Sequence, residues 1–198
     1  MIGTITKTSG EYLYASLSAY AGSAALPQLA FEMASKKTKP NLPPGALVYA
    51  RVALAGRHVE PELECVSPAT GKADGLGPLV GGMLFDVSLG LARRLLMRRS
   101  ADEGRVVVLD ELGAAGLAFE TAVGRNGKVW VNSNSSGGDD KDRGKGKGPS
   151  TDGDWKSTPT AATKTILLVG RALRETDERN LTVEQQKKLV RKLVKDMS

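Results

Sequence analysis

The chain has 198 residues, a net charge of +6, and 40% hydrophobic and 25% charged side chains, an ordinary balance for a folded globular protein of one or two domains. A single cysteine, Cys65, excludes an internal disulfide, and no apolar run approaches the roughly 20 residues of a membrane-spanning helix. The positive balance favours a polyanionic or acidic partner, and aromatics at 5% require cores built mainly from aliphatic side chains.

In chain order, the opening Met-Ile-Gly-Thr-Ile-Thr lacks the basic leader and long apolar block of a signal peptide and reads as a first strand. Ile2, Thr4 and Thr6 alternate there with Gly3, Ile5 and Lys7. Ser9-Gly10 is a turn, and Tyr12, Tyr14 and Ser16 share one face of the next strand. Gly22-Ser23 breaks the chain before a third strand, Ala24 to Phe31. A loop carrying Lys36, Lys37 and Lys39 closes at Pro40 to Gly45. The fourth strand spans Ala46 to Ala55 and the fifth about Val59 to Ser67. Short strands with turn residues every ten or so positions predict a five-stranded barrel over residues 1–68. Pro68, Gly71, Gly75, Gly77, Pro78, Gly81 and Gly82 then interrupt regular structure, marking a boundary over 69–82 that is either a linker or an ordered crossing.

The second domain, 83–198, reads as α+β. A strand at Met83 to Val87 leads to Ser88, the predicted N-cap of a helix running to about Arg99, with Leu91, Ala92, Leu95 and Leu96 on its apolar face. Arg93, Arg94, Arg98 and Arg99 ring its other side. Arg105 to Leu112 fits either a strand or a buried helical turn. A hairpin follows, its strands flanking Gly124-Arg125-Asn126-Gly127, where both Asn and Gly tolerate the positive φ of a tight primed turn. Val129 and Val131 alternate with Lys128, Trp130 and Asn132, predicting one inward and one outward face. About 133–159 is rich in Ser, Gly, Asp and Lys, with Trp155 its one large apolar residue, and predicts disorder. Two helices close the chain. The first, about Thr160 to Glu175, carries Ala162, Ile166, Val169 and Leu173 at helical spacing. The second opens on a Thr182–Gln185 capping box and carries Leu189, Val190, Leu193, Val194 and Met197.

The sequence offers little for catalysis. One histidine, His58, excludes a His-centred metal cluster, and no Cys-x-x-Cys, P-loop or Gly-x-Ser-x-Gly occurs. Asp139, Asp140 and Asp142 cluster inside the low-complexity tract, where a solvated linker is the simpler account. The pattern favours a binding module without cofactor or metal. Its candidates for holding RNA are Lys36, Lys37 and Lys39, which would grip phosphates, Tyr12 and Tyr14, which would stack bases, and Arg57. The tyrosines read equally as half-buried core, and the lysines as a solvated loop. The Gly-x-x-Gly at 124–127 is similar to the backbone clamp of KH domains, but that clamp joins two helices, and here it joins two strands.

A set of segments together is more specific. Ile2-Gly3-Thr4-Ile5-Thr6 with Ser9-Gly10, Lys39-Pro40-Asn41 with Gly45, Glu60-Pro61-Glu62-Leu63 with Cys65, and Gly71 to Gly77 are four of them. Phe85 to Leu91, Gly124 to Val131 and the closing helices complete the set. With these the chain resembles the S1/KH cap subunit of the eukaryotic RNA exosome, the cap protein with a Gly-x-Asn-Gly signature. The resemblance implies an S1-like OB-fold barrel followed by a KH-like domain. It implies a non-catalytic subunit that stabilises a ring of RNase PH-like proteins, sits with other cap proteins, and guides single-stranded RNA to separate exoribonucleases. It also implies a nuclear and nucleolar, and also cytoplasmic, location. Gly124, Asn126, Gly127 and Trp130 would be a structural turn and inter-domain interface. Family members carry a further N-terminal domain that this sequence does not include, Asp74 stands where Asn is usual, and the tract at 133–159 reads as an insertion. A free-standing S1/KH RNA-binding adaptor is the alternative.

Overall fold

The computed structural model describes residues 1–20, 22–97, 106–133 and 160–197. The chain divides into two compact units, one over Met1–Val80 and the other beginning at Gly81.

The first unit is all β: β1 (Ile2–Ser9), β2 (Tyr12–Ser16), β3 (Ser23–Pro27), β4 (Leu47–Tyr49), β5 (Arg51–Gly56), β6 (Val59–Glu64) and β7 (Gly77–Leu79). They hydrogen-bond in the order β5-β6-β3-β2-β1-β4-β7. The expected fourth strand is parted at Ala50. Its first half pairs with β1, Val48 opposite Gly3, and its second with β6, Val52 opposite Leu63. One run of chain, pairing in both places, curls the sheet round into a barrel. Ala50 secures the join, since its N–H donates to Met1 O at 2.9 Å and Met1 N donates to Ala50 O at 2.7 Å. Counting that run once, the strand order is 1-2-3-5-4-1, an OB barrel. Side chains at period two fill it: Leu13 and Ala15, Ala24 and Leu26, Val48 and Ala50, Leu63 and Cys65 are all buried. The third strand is shorter than expected, ending at Pro27 where the chain turns. A strand also forms inside the Gly/Pro-rich boundary: β7 lies antiparallel to β4 with Pro78 opposite Val48. It is the last strand on its side, where a proline's missing N–H is tolerated.

The second unit has the order β8 (Met83–Asp86), α1 (Leu89–Leu95), α2 (Val108–Ala114), β9 (Glu120–Gly124), β10 (Lys128–Asn132), α3 (Thr160–Glu178) and α4 (Val183–Met197). Its antiparallel sheet is ordered β8-β10-β9. This is the βααββα arrangement of a KH domain with one added helix. The core is aliphatic, with Leu91, Leu112, Val129, Val131, Val169 and Leu173 shielded completely, each such burial stabilising by about 1.5–3 kcal/mol. Of the ambiguous stretch, Val108 to Leu112 form the start of α2, and Arg105 lies outside the described residues. Ser88 caps α1 as expected, its Oγ accepting from Leu91 N at 3.0 Å, but the helix stops at Leu95. Arg98, Arg99 and the expected disorder at 134–159 lie outside the described residues. Ser133, placed in that tract, is buried and donates its hydroxyl to Ala118 O at 2.8 Å.

Two packing details set the sheet. Gly170, in the middle of α3, lies against the ring of Phe85, and a Cβ there would overlap the ring. The expected outward face of β10 is largely covered too, with Trp130 and Asn132 buried against the Gly81-Gly82 backbone. Val129 and Val131 meet the helices. On the other face Trp130 is buried, donating its indole N–H to Gly81 O at 2.8 Å, and a Cβ on Gly82 would strike Val131 O.

Candidate nucleic-acid interface

The outer face of the β1-β2-β3 meander carries the first group. Leu13 and Ala15 point into the barrel, so Tyr12 and Tyr14 point out, Tyr12 with 45% of its surface exposed. Tyr12 is thus exposed, while Tyr14 is half-buried on the outer face rather than part of the barrel core. Pro27 and Ala25 stand opposite them on β3. Lys7 and Ser9 stand opposite on β1.

Lys7 is a residue that sequence alternation misplaces. Counting in twos from Ile5, Lys7 falls on the interior side. The pairing of β1 with β2 instead shifts by one between Ile5 and Lys7: Ile5 faces Ala15, Lys7 faces Tyr14, and Thr6 is the extra residue of a β-bulge. The bulge turns Lys7 outward and sets its Nζ 4.7 Å from the centre of the Tyr14 ring, a cation–π contact.

Lys36, Lys37 and Lys39 are all exposed on the loop between β3 and β4. That loop is organised around Thr38, whose N–H donates to Ser35 O at 3.1 Å and whose hydroxyl lies 2.7 Å from that of Ser35. Its hydroxyl also donates to Met33 O at 3.2 Å. Three ammonium groups thus project from a turn with defined geometry. Arg57 is exposed at the tip joining β5 to β6. Because β6 runs parallel to β3, with Ala25 opposite Glu62, this tip lies at the end of the strands remote from Tyr12. The structure therefore groups Tyr12, Tyr14 and Lys7, and leaves Arg57 apart.

In the second unit the Gly124–Gly127 turn differs from the expected primed turn. Gly127 N donates to Gly124 O at 3.2 Å, and Gly127 alone of the four has positive φ, at 75°. A three-residue loop ending in a left-handed glycine, Arg125-Asn126-Gly127, accounts for both observations. Gly127 also docks on the corner between β8 and α1: Val87 N donates to Gly127 O at 2.8 Å, and a Cβ on Gly127 would lie 2.6 Å from Val87 O. Asp177 of α3 ties the same corner, accepting from Ser88 N at 2.6 Å and from Ser88 Oγ at 2.5 Å. The turn and Trp130 are thus structural features of this unit. The stretch between α1 and α2, residues 96–107, is where a KH domain carries its phosphate-clamping Gly-x-x-Gly, and it contains a single glycine, Gly104. That absence was readable in the sequence once the two helices were placed. In the last turn of α1, Arg93 is exposed and Arg94 reaches Asn180 Oδ1 at 3.5 Å.

Among the described residues no three or more His, Cys, Asp or Glu side chains gather as metal ligands. Burial, helped by the charge of Glu64, pushes the Cys65 thiol up to about 12, so it is no nucleophile near neutral pH.

A closed OB barrel followed by a βααββα unit defines the class: an S1/KH protein. Residues 1–77 match the S1 domain family of exosome complex component RRP40, and residues 82–137 match a KH domain family. The chain is 48% identical over 113 residues to exosome complex component rrp40 of Schizosaccharomyces pombe, covering 57% of this chain and 44% of that protein. It is 41% identical over 131 residues to exosome complex component RRP40 of Saccharomyces cerevisiae, 66% of this chain and 52% of that one. Against exosome complex component RRP40 of Homo sapiens it is 33% identical over 137 residues, 68% and 46% of the two chains. The chain thus carries an RRP40-type S1 domain followed by a KH domain, and spans about half the length of the curated relatives it matches. The crystal structure of a protein provisionally described as an exosome complex RNA-binding protein shares the fold, with a TM-score of 0.62, 16% identity, and coverage of 99% of this chain and 91% of that one.

Proposed function

We propose that this chain is the S1/KH part of a non-catalytic cap subunit of the RNA exosome. In this reading it braces the RNase PH-like ring beside other cap proteins and guides single-stranded RNA toward 3′-to-5′ exoribonucleases for processing and decay. Its place of action would be the nucleus and nucleolus, and also the cytoplasm. The observation that carries the reading is the RRP40-type S1 match over the barrel whose outer face presents Tyr12, Tyr14 and Lys7 together.

The division of labour follows from the two units. The barrel offers aromatic faces and cations, the two elements that hold single strands without base reading. The KH unit has no Gly-x-x-Gly between α1 and α2 and is suited to holding protein partners by shape. The chain contributes no chemistry to RNA cleavage in this account. Size-exclusion chromatography with purified RNase PH-like partners tests it: co-elution at moderate salt is expected. Separate elution together with tight RNA binding would point to a free-standing adaptor.

A further inference from the structure

We propose that Lys7 is the phosphate-binding partner of a base-stacking site on Tyr14, for single-stranded RNA. The inference rests on the RNA-binding reading of the barrel and goes beyond it by naming the residue pair and the exchange between them.

Three observations meet at this point. The bulge at Thr6 reverses the side on which Lys7 would otherwise lie, and bulges that re-aim one side chain are typical beside binding sites. The ammonium rests 4.7 Å from the ring centre of Tyr14, so the ring already holds a cation on the face a base would use. Among the described residues Lys7 makes no ion pair, so its charge is not committed to holding the fold. The ring is firmly seated, since β2 is paired on both sides, while the lysine has a long flexible stem.

The exchange is then simple. A cation over a half-buried surface ring is held only weakly, and a base offers a larger flat contact. When a base stacks on Tyr14, the ammonium leaves the ring and meets the phosphate of the same or the next nucleotide. No bond is made or broken, and the site is indifferent to base identity because every base has a π-face. Pro27 and Tyr12 extend the same surface toward a second nucleotide.

Fluorescence anisotropy of labelled oligouridine with the full chain, across a salt series, tests the pair. Lys7→Gln is expected to weaken binding by roughly three- to tenfold at low salt and to lower the slope of log affinity against log salt by about 0.7, the value for one neutralised phosphate of a single strand. Lys7→Arg restores the slope. With Tyr14→Leu already present, the further loss on Lys7→Gln shrinks, because the base no longer delivers its phosphate there. An unchanged slope, or tighter binding by Lys7→Gln because the ring has merely been uncovered, overturns the proposal. A parent chain that binds no oligouridine removes the RNA reading itself and this proposal with it.

Discussion

Val87 brackets Gly127 with both of its backbone polar groups: its N–H donates to Gly127 O at 2.8 Å, and its carbonyl oxygen lies 2.6 Å from where a Gly127 side chain would begin. Two constraints thus coincide at one glycine, the left-handed φ of 75° and the close approach of backbone. Gly127→Val should therefore lower stability by about 1–3 kcal/mol from the backbone conformation alone, and further from the overlap. Asn126→Val, at ordinary φ, should cost less than Gly127→Val. Thermal melts of both variants check this, and equal losses would restore the two-residue primed turn.

Gly170 tests the seating of α3 on the sheet. Alanine is ordinarily better than glycine inside a helix by about 1 kcal/mol. Here its methyl would enter the Phe85 ring, so Gly170→Ala is expected to destabilise by about 1–3 kcal/mol. Adding Phe85→Leu should recover part of the loss, a coupling visible in a double-mutant cycle by urea unfolding.

Much of this architecture was legible in the sequence. Turn residues at Ser9-Gly10, Gly22 and Pro43 to Gly45 spaced the barrel strands, and the Ser88 cap and helical spacing over 162–173 placed α1 and α3. What escaped depends on distant neighbours. A bulge adds one residue without changing hydrophobicity, so Lys7 kept the parity of Ile5. The break at Ala50 is invisible because both halves of the run are apolar and only their partners differ. Trp130 looked outward because its cover, Gly81 and Gly82, comes from far along the chain. Gln186, polar and inside an apolar stripe, is buried because its amide joins Val107 N at 2.8 Å to Leu181 O at 2.9 Å.

Cys65 provides a pH test. Its thiol is raised from 9.0 to about 12, by burial first and by Glu64 second. The folded state thus retains a proton that the unfolded chain releases, so the Cys65 contribution is fully present below pH 9 and is lost as pH rises toward 12. At its steepest this contribution is about 1.4 kcal/mol per pH unit. Cys65→Ala should flatten the alkaline limb of the stability curve, whatever its effect at neutral pH. Equal slopes for parent and variant would contradict the burial described.

The β3–β4 loop predicts a different kind of effect. Reversing charge at Lys36, Lys37 and Lys39 should leave melting within about 0.5 kcal/mol, since all three are exposed. It should weaken RNA binding uniformly across sequences and reduce the salt slope by about 0.7 for each phosphate that is no longer neutralised. Filter binding at several salt concentrations measures this. An unaltered slope would mean that RNA takes a path away from this loop.

The most direct measurement is reconstitution of the RNase PH-like ring with its exoribonuclease, with and without this chain, following ring integrity by analytical ultracentrifugation and decay of a labelled single-stranded RNA. The account predicts that the chain joins the ring, tightens it and speeds decay, while the chain alone leaves the RNA intact. A ring equally stable and equally active without the chain, or RNA cut by the chain on its own, would contradict it.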